Sequence, residues 1–242
     1  MIKYSYDFKE SPRHIIDAAM KIVPVVLQVT GPIKSLVDLG GCTGAWSSVF
    51  KRHGVEKIRC VDHPSIPASD LLIEPSEFVG CDLAVRMPQA QTADLAVCLE
   101  CAEHLPAIQA PVLVDFLTRS AHVVLFSAAI PGQGGNGHIN LRRAQYWEKL
   151  FGERGYELLD VLRPRIIFEA DIPIWYRQNI RFFADPVGRQ RLHISHDKTR
   201  MVPADFEIVS VGILNSLPSF TQSARAMLDV AKRKLQRLLR AR

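Results

Sequence analysis

Glu100, Glu103 and His104 crowd into one short run, Leu99-Glu-Cys-Ala-Glu-His-Leu-Pro106. If the chain turns helical there, they lie at i, i+3 and i+4 and share one face. A fourth ionisable residue, His138, sits in Ile130-Pro-Gly-Gln-Gly-Gly-Asn-Gly-His-Ile-Asn140, whose four glycines predict an irregular loop able to lie close over a cleft. Two carboxylates and two imidazoles form a ligand set for a divalent ion. With no thiolate among them, Mg2+ or Mn2+ is expected rather than structural zinc. Such an ion lowers the pKa of a bound hydroxyl and orients it as a nucleophile. The competing chemistry needs no ion: a neutral His138 imidazole is well tuned as a general base at pH 7, with Glu100 touching a cofactor and His104 packing or capping. Under both readings His138, His104 and Glu103 are the catalytic candidates.

Acids also close three predicted strands. The first stands in Ser35-Leu-Val-Asp38-Leu-Gly40-Gly41-Cys42-Thr43-Gly44-Ala-Trp46, where an apolar strand ends in a carboxylate and a glycine-rich turn opens a helix. Glycines let the backbone approach a ligand, and the carboxyl end of a strand is where an open α/β sheet binds one. The loop is not a dinucleotide fingerprint, since Gly40, Cys42 and Gly44 break G-x-G-x-x-G, and it lacks the Gly-Lys-Ser/Thr of a phosphate-cradling loop. The second strand ends in Val61-Asp62-His63, 18 residues after Gly44, where a carboxylate can accept hydrogen bonds from ribose hydroxyls. The third ends in Cys81-Asp82-Leu83. Asp38, Gly40, Gly41, Cys42, Gly44, Asp62, His63, Asp82 and Leu83, with Glu100 at the edge, are the cofactor-site candidates.

The elements that must carry these residues alternate. A helix is predicted over 11–29, with Pro12 in its first turn and Pro24 bending it. Strands follow at 35–38, 57–61, 78–80, 94–99, 122–128, 156–162 and 179–184, and helices at 45–53, 110–119 and 143–154. The fourth strand is nearly all apolar, as a parallel strand buried on both faces requires. Alternating β and α elements predict a doubly wound, mostly parallel sheet. After Asp185 regularity is expected to lapse until a terminal helix over 221–242.

The chain has 242 residues, 48% of them hydrophobic, enough for one α/β domain with a small appendage. No apolar run approaches a membrane span or a signal peptide. The five cysteines fall in or beside strands, so Cys98-x-x-Cys101 reads as two small buried residues in a reduced, cytoplasmic compartment. Net charge is +5, but residues 225–242 alone carry seven basic side chains and one acid, leaving about −1 for everything before them. On a helix Met227, Leu228, Ala231, Leu235, Leu238 and Leu239 share a face. A basic amphipathic helix suits a membrane surface or a partner, and its plainer role is docking on the core or on another subunit. Near-neutral charge elsewhere makes RNA the weaker partner.

The D-x-G-x-x-x-G pattern from Asp38 to Gly44 resembles motif I of class I S-adenosylmethionine-dependent methyltransferases, with the usual central Cys and Gly interchanged. The resemblance implies α/β architecture: a Rossmann-like, doubly wound, seven-stranded sheet, mostly parallel with one antiparallel strand near its edge, here followed by a C-terminal helical extension. It also implies that Asp38 orients the methionine end of S-adenosyl-L-methionine, Asp62 the ribose and Asp82 the adenine amino group, with His63 beside the adenine. A methyltransferase domain over 1–184 and an extension over 185–242 are expected. From 35 to 183 the chain further resembles small bacterial methyltransferases of surface-glycan and secondary-metabolite pathways, through Glu100 to Pro106, Phe126 to Asn140 and Trp175-Tyr-Arg-Gln-Asn179. The E-x-x-E-H pattern with a distant His is similar to two other groups, the small-RNA 2′-O-methyltransferases and the O-methyltransferases of ubiquinone precursors. In the former those four side chains hold a metal.

The expected activity is O-methylation of a hydroxylated small molecule or glycan, metal-assisted or not. RNA ribose 2′-O-methylation is the alternative, and a non-catalytic cofactor-binding assembly partner the third reading. Trp175 and Tyr176 are candidates for an acceptor pocket, while Trp147 is expected in the core. The expected location is cytoplasmic, or peripheral at a membrane through 225–242.

Overall fold

A computed structural model describes residues 12–194. Helix α1 (Pro12–Thr30) runs through Pro24 as one element. The strands are β1 (Ser35–Leu39), β2 (Lys57–Asp62), β3 (Phe78–Gly80), β4 (Leu95–Leu99), β5 (Val123–Ser127), β6 (Glu157–Leu159) and β7 (Arg181–Ala184). Between them lie α2 (Ala45–Arg52), α3 (Ala110–Ser120), α4 (Ala144–Gly152), α5 (Arg163–Ile166) and α6 (Ile174–Asn179), and α7 (Pro186–Arg191) follows β7. The seven strands form one sheet in the order β3-β2-β1-β4-β5-β7-β6. The first five in that order run parallel, and β7 is antiparallel to both β5 and β6.

Burial explains why these runs are strands. Every residue of β4 and β5 is buried, so both faces of the sheet must be covered. Successive residues serve opposite layers. Leu36, Val97 and Leu125 pack with α1, α2 and the 159–180 segment, while Val37, Cys98 and Phe126 pack with α3 and α4. The sheet thus presents the carboxyl ends of β1, β2, β3 and β4 along one edge.

Two features depart from the sequence expectation. Strand β6 stops at Leu159 instead of continuing to 162, because the next residue, Asp160, turns to a buried ion pair with Arg163. The Arg163 Nε donates to Asp160 Oδ1 at 2.8 Å, and Arg163 then opens α5. Regularity does not lapse after Asp185: its side chain accepts the Gly188 N–H at 2.7 Å and caps α7. Beyond α7, Leu192 is buried and the His193 N–H bonds the Val29 carbonyl. Residues 221–242, where a terminal helix is expected, lie outside the described residues. Among the described residues no helix is long and apolar enough to cross a membrane.

Candidate functional site

The cofactor-loop candidates converge where β1 and β2 end. Asp38 is buried in the fourth position of β1, opposite Cys60 of β2 and Val97 of β4, and accepts the Ser47 hydroxyl at 2.7 Å. Burial pushes its carboxyl up to about 6, against the Ser47 hydrogen bond and with help from Asp62. Gly40 has φ +75° and donates its N–H to the Val61 carbonyl, and a Cβ there would fall 2.2 Å from Cys101 Sγ. Gly41 is equally confined, since its Cβ would meet Cys60 Sγ at 2.5 Å and Asp38 Cγ at 2.7 Å. Gly44 has φ +82° and starts α2 with no side-chain cap. The interchange of Cys and Gly leaves Cys42 left-handed at φ +52°. Its cost is about 1 kcal/mol, offset by a 2.7 Å bond from its N–H to Asp62 Oδ2.

Asp62 closes β2 and also accepts the His63 N–H at 2.6 Å. Burial pushes its carboxyl up, against those two backbone bonds. Each oxygen keeps a second lone pair for a ligand hydroxyl. Asp82 accepts the Ala84 N–H at 3.0 Å, and His63 Nε2 stands 3.8 Å from Asp82 Oδ2. His63 and Asp82 are partly open, and Leu83 is buried beside them. These residues make a polar shelf along the carboxyl ends of three adjacent strands, suited to a nucleoside with an extended tail.

Beyond β4 the backbone corrects one expectation. Glu100 takes a left-handed φ of +50°, and only Ala102–His104 forms a turn, of 3-10 type. Glu100 therefore does not share a helical face with Glu103 and His104. Its N–H bonds Ser127, and its carboxylate accepts Gln133 Nε2 at 3.1 Å and Asn179 Nδ2 at 3.3 Å.

Glu103, His104 and His138 do come together, with one ligand atom from each lying within 4.8 Å of the others. The glutamate is fully buried, with the Glu100 carboxyl and the Glu103 and Ala129 backbone as its polar neighbours, and neither of its oxygens makes a well-formed hydrogen bond. Burial, then the neighbouring Glu100 carboxylate, push its carboxyl well above the usual range. The His138 Nδ1 is likewise buried and unpartnered, and the two imidazoles meet edge to face at 4.8 Å. Burial, then His138, lower His104 to about 4, and burial lowers His138, so both rings are neutral acceptors at pH 7. A buried carboxylate without well-formed hydrogen bonds is costly unless something satisfies it. The donor set suits a divalent ion: ligand atoms bound at about 2.1 Å lie roughly 3–4 Å apart, and small side-chain shifts would bring these atoms, now within 4.8 Å of one another, to that spacing. Of the four residues expected from sequence, Glu103, His104 and His138 form this group, and Glu100 lies against it through its carboxyl contact with Glu103.

Sequence reasoning did not single out Ser47, Gln133, Asn140 or Asn179 as site residues. The last three stood within the distinctive Phe126 to Asn140 and Trp175 to Asn179 runs, where a polar side chain next to glycines or aromatics was the available signal. Trp147 is buried against Phe126 and Tyr146, and it also lines a cavity with Arg142, Asn179 and Arg181. Tyr176 packs in the core, where Trp46 Nε1 donates to its hydroxyl at 3.4 Å, whereas Trp175 is exposed. Cys98 and Cys101 are buried free thiols.

No protein-family profile and no curated protein matches the sequence. Solved structures do. The plantazolicin methyltransferase BpumL in complex with SAH has a TM-score of 0.50 at 13% identity, over 74% of this chain and 87% of that one. Magnesium protoporphyrin IX methyltransferase (ChlM) from Synechocystis PCC 6803 with bound SAH has a TM-score of 0.49 at 14% identity, over 72% and 83%. The pyocyanin biosynthetic protein PhzM has a TM-score of 0.47 at 16% identity, and the match spans 70% of this chain but only 55% of PhzM. At such identities the likeness speaks to fold. The chain has the Rossmann-like α/β fold of the S-adenosylmethionine-dependent methyltransferases, with its seven-stranded mixed sheet.

Proposed function

We propose that this chain is an S-adenosylmethionine-dependent methyltransferase that methylates a hydroxyl oxygen of a small molecule or glycan, with a divalent ion held by Glu103, His104 and His138. One observation carries the oxygen and the ion: the buried Glu103 carboxylate and His138 Nδ1 make no well-formed hydrogen bonds and lie beside His104, off the carboxyl end of β4. The cofactor reading is supported by Asp38, Asp62 and Asp82 in series along the same sheet edge, and by the SAH bound in BpumL.

In this reading Asp38 orients the methionine end, Asp62 the ribose hydroxyls and Asp82 the adenine. When bound, the ion supplies Lewis acidity that lowers the pKa of the acceptor hydroxyl. Glu103, His104 and His138 would hold it, and two imidazoles in the set favour Mn2+ over Mg2+. The hydroxyl oxygen bonds to the methyl carbon, the carbon–sulfur bond breaks to release S-adenosylhomocysteine, and the hydroxyl proton passes to water. Ribose 2′-O-methylation of RNA is the weaker reading, because charge outside residues 225–242 is near neutral and would bind phosphates poorly.

The test is a methyl-transfer screen with radiolabelled cofactor over glycans, phenols and RNA, run with Mn2+, with Mg2+ and after chelation. Transfer to a hydroxylated acceptor that chelator abolishes and Mn2+ restores is expected. Full activity in chelator would leave His138 as a metal-free general base and remove the ion.

A further inference from the structure

Four glycines between Ile130 and Asn140 give His138 a backbone with little stiffness of its own. Yet the imidazole is held at a defined place beside His104. The restraint comes from both ends of the loop. At its start the Gln133 N–H closes a turn on the Ile130 carbonyl, and Gln133 Nε2 reaches Glu100 Oε2 at 3.1 Å. Asn179 Nδ2, from α6, braces that contact by donating to Gln133 Oε1 at 2.9 Å and Glu100 Oε1 at 3.3 Å. At its end the Ile139 and Asn140 N–H groups both bond the Glu103 carbonyl, at 2.9 and 3.0 Å. Asn140 Nδ2 adds a 3.3 Å bond to the Ala102 carbonyl. All three amides are buried, at 7% exposure for Gln133 and 2% for Asn140 and Asn179.

The loop also makes room for the ring it carries. A Cβ on Gly135 would lie 2.1 Å from His138 Cε1, and one on Gly137 would touch His104 Nδ1 at 3.4 Å. Buried amides that are fully engaged define one arrangement, because slipping any of them strands a polar group out of water.

We infer that Gln133 and Asn140 are positioning residues for His138: each ties one end of the glycine loop to the Glu100–His104 segment, Asn179 braces the first tie, and Gly135 is the seat of the ring. This rests on the proposal that His138 serves with Glu103 and His104 as a metal ligand. The two amides touch no acceptor; they act by fixing where the imidazole stands.

The experiment compares wild type with Asn140→Ala, Gln133→Ala and Gln133→Met, all checked for fold by circular dichroism. Gln133→Met keeps the length of the side chain and removes its hydrogen bonds, which separates bonding from volume. The first readout needs no metal. Diethyl pyrocarbonate labelling of His138 is followed by peptide mass spectrometry, with the exposed His53 as internal reference. His138 should be slow in wild type and several-fold faster in all three variants, with His53 unchanged. The second readout is Mn2+ titration followed by electron paramagnetic resonance of the free ion. The variants should bind Mn2+ about 10–100-fold more weakly, while S-adenosylhomocysteine affinity by calorimetry stays within about twofold of wild type. Wild-type labelling rates in Asn140→Ala and Gln133→Met would overturn the positioning role. If wild type binds no Mn2+, the metal reading falls and the labelling result still decides the role of the amides.

Discussion

Asp38 is a buried carboxyl whose acidity has been weakened, and that has a measurable cost. A carboxyl raised from 3.8 to about 6 keeps its proton in the folded state over a range where the unfolded chain has lost it. Its stability contribution is therefore full below about pH 4 and lost as pH rises through 6. Asp38→Asn should make the ligand-free protein about 2–3 kcal/mol more stable at pH 8 and change little at pH 4, as read by chemical denaturation at both pH values. The same substitution should weaken S-adenosylhomocysteine binding, since Asn carries no charge for the methionine amino group. Asp62→Ala should weaken that binding by about 1.5–3 kcal/mol, and calorimetric titration checks it. Unchanged affinity would remove Asp62 from the cofactor site. On the other side of the cleft, His138→Ala should lower Mn2+ affinity and turnover while sparing S-adenosylhomocysteine affinity. Residue types alone indicated the three strand-end acids and the Glu103, His104 and His138 cluster. They could not indicate the left-handed φ of Glu100 or its bonds to Ser127, Gln133 and Asn179, because those partners are distant in sequence.

At the scale of elements, one tight junction is where the β1–α2 loop crosses the segment after β4. Gly40 there has both a positive φ and Cys101 Sγ within 2.2 Å of where a Cβ would stand. Gly40→Ala should destabilise the protein by about 1–3 kcal/mol in urea denaturation, and Cys101→Gly introduced alongside should recover more of that loss than Cys101→Ala, because the Cys101 Cβ alone stands 2.5 Å from the added methyl. The alternation of strands and helices was legible because strands buried on both faces are apolar throughout and their intervening helices are long. The segment between β6 and β7 was not. Helices α5 and α6 span only 4 and 6 residues, too short to establish a period, and β6 is cut by the Asp160–Arg163 pair rather than by any turn residue.

For the whole molecule, charge is concentrated in residues 225–242, outside the described residues. We propose that this segment attaches the enzyme to an anionic membrane surface. The full chain should then float with anionic vesicles at low salt and dissociate as salt is raised. A chain truncated before Arg225 should stay in the soluble fraction yet bind S-adenosylhomocysteine as before. Absence of flotation at low salt would end the idea.

The order of the sheet also dictates an order of assembly. Strand β7 is the last to be synthesised yet sits between β5 and β6, and Asn179 lies two residues before it. A nascent chain that has emerged as far as β4 already carries Asp38, Asp62 and Asp82. The brace on Glu100 comes from Asn179, which is synthesised only after the first six strands. In the proposed function, the acids that face the methyl donor are therefore synthesised well before the amide that braces Glu100 on the acceptor side.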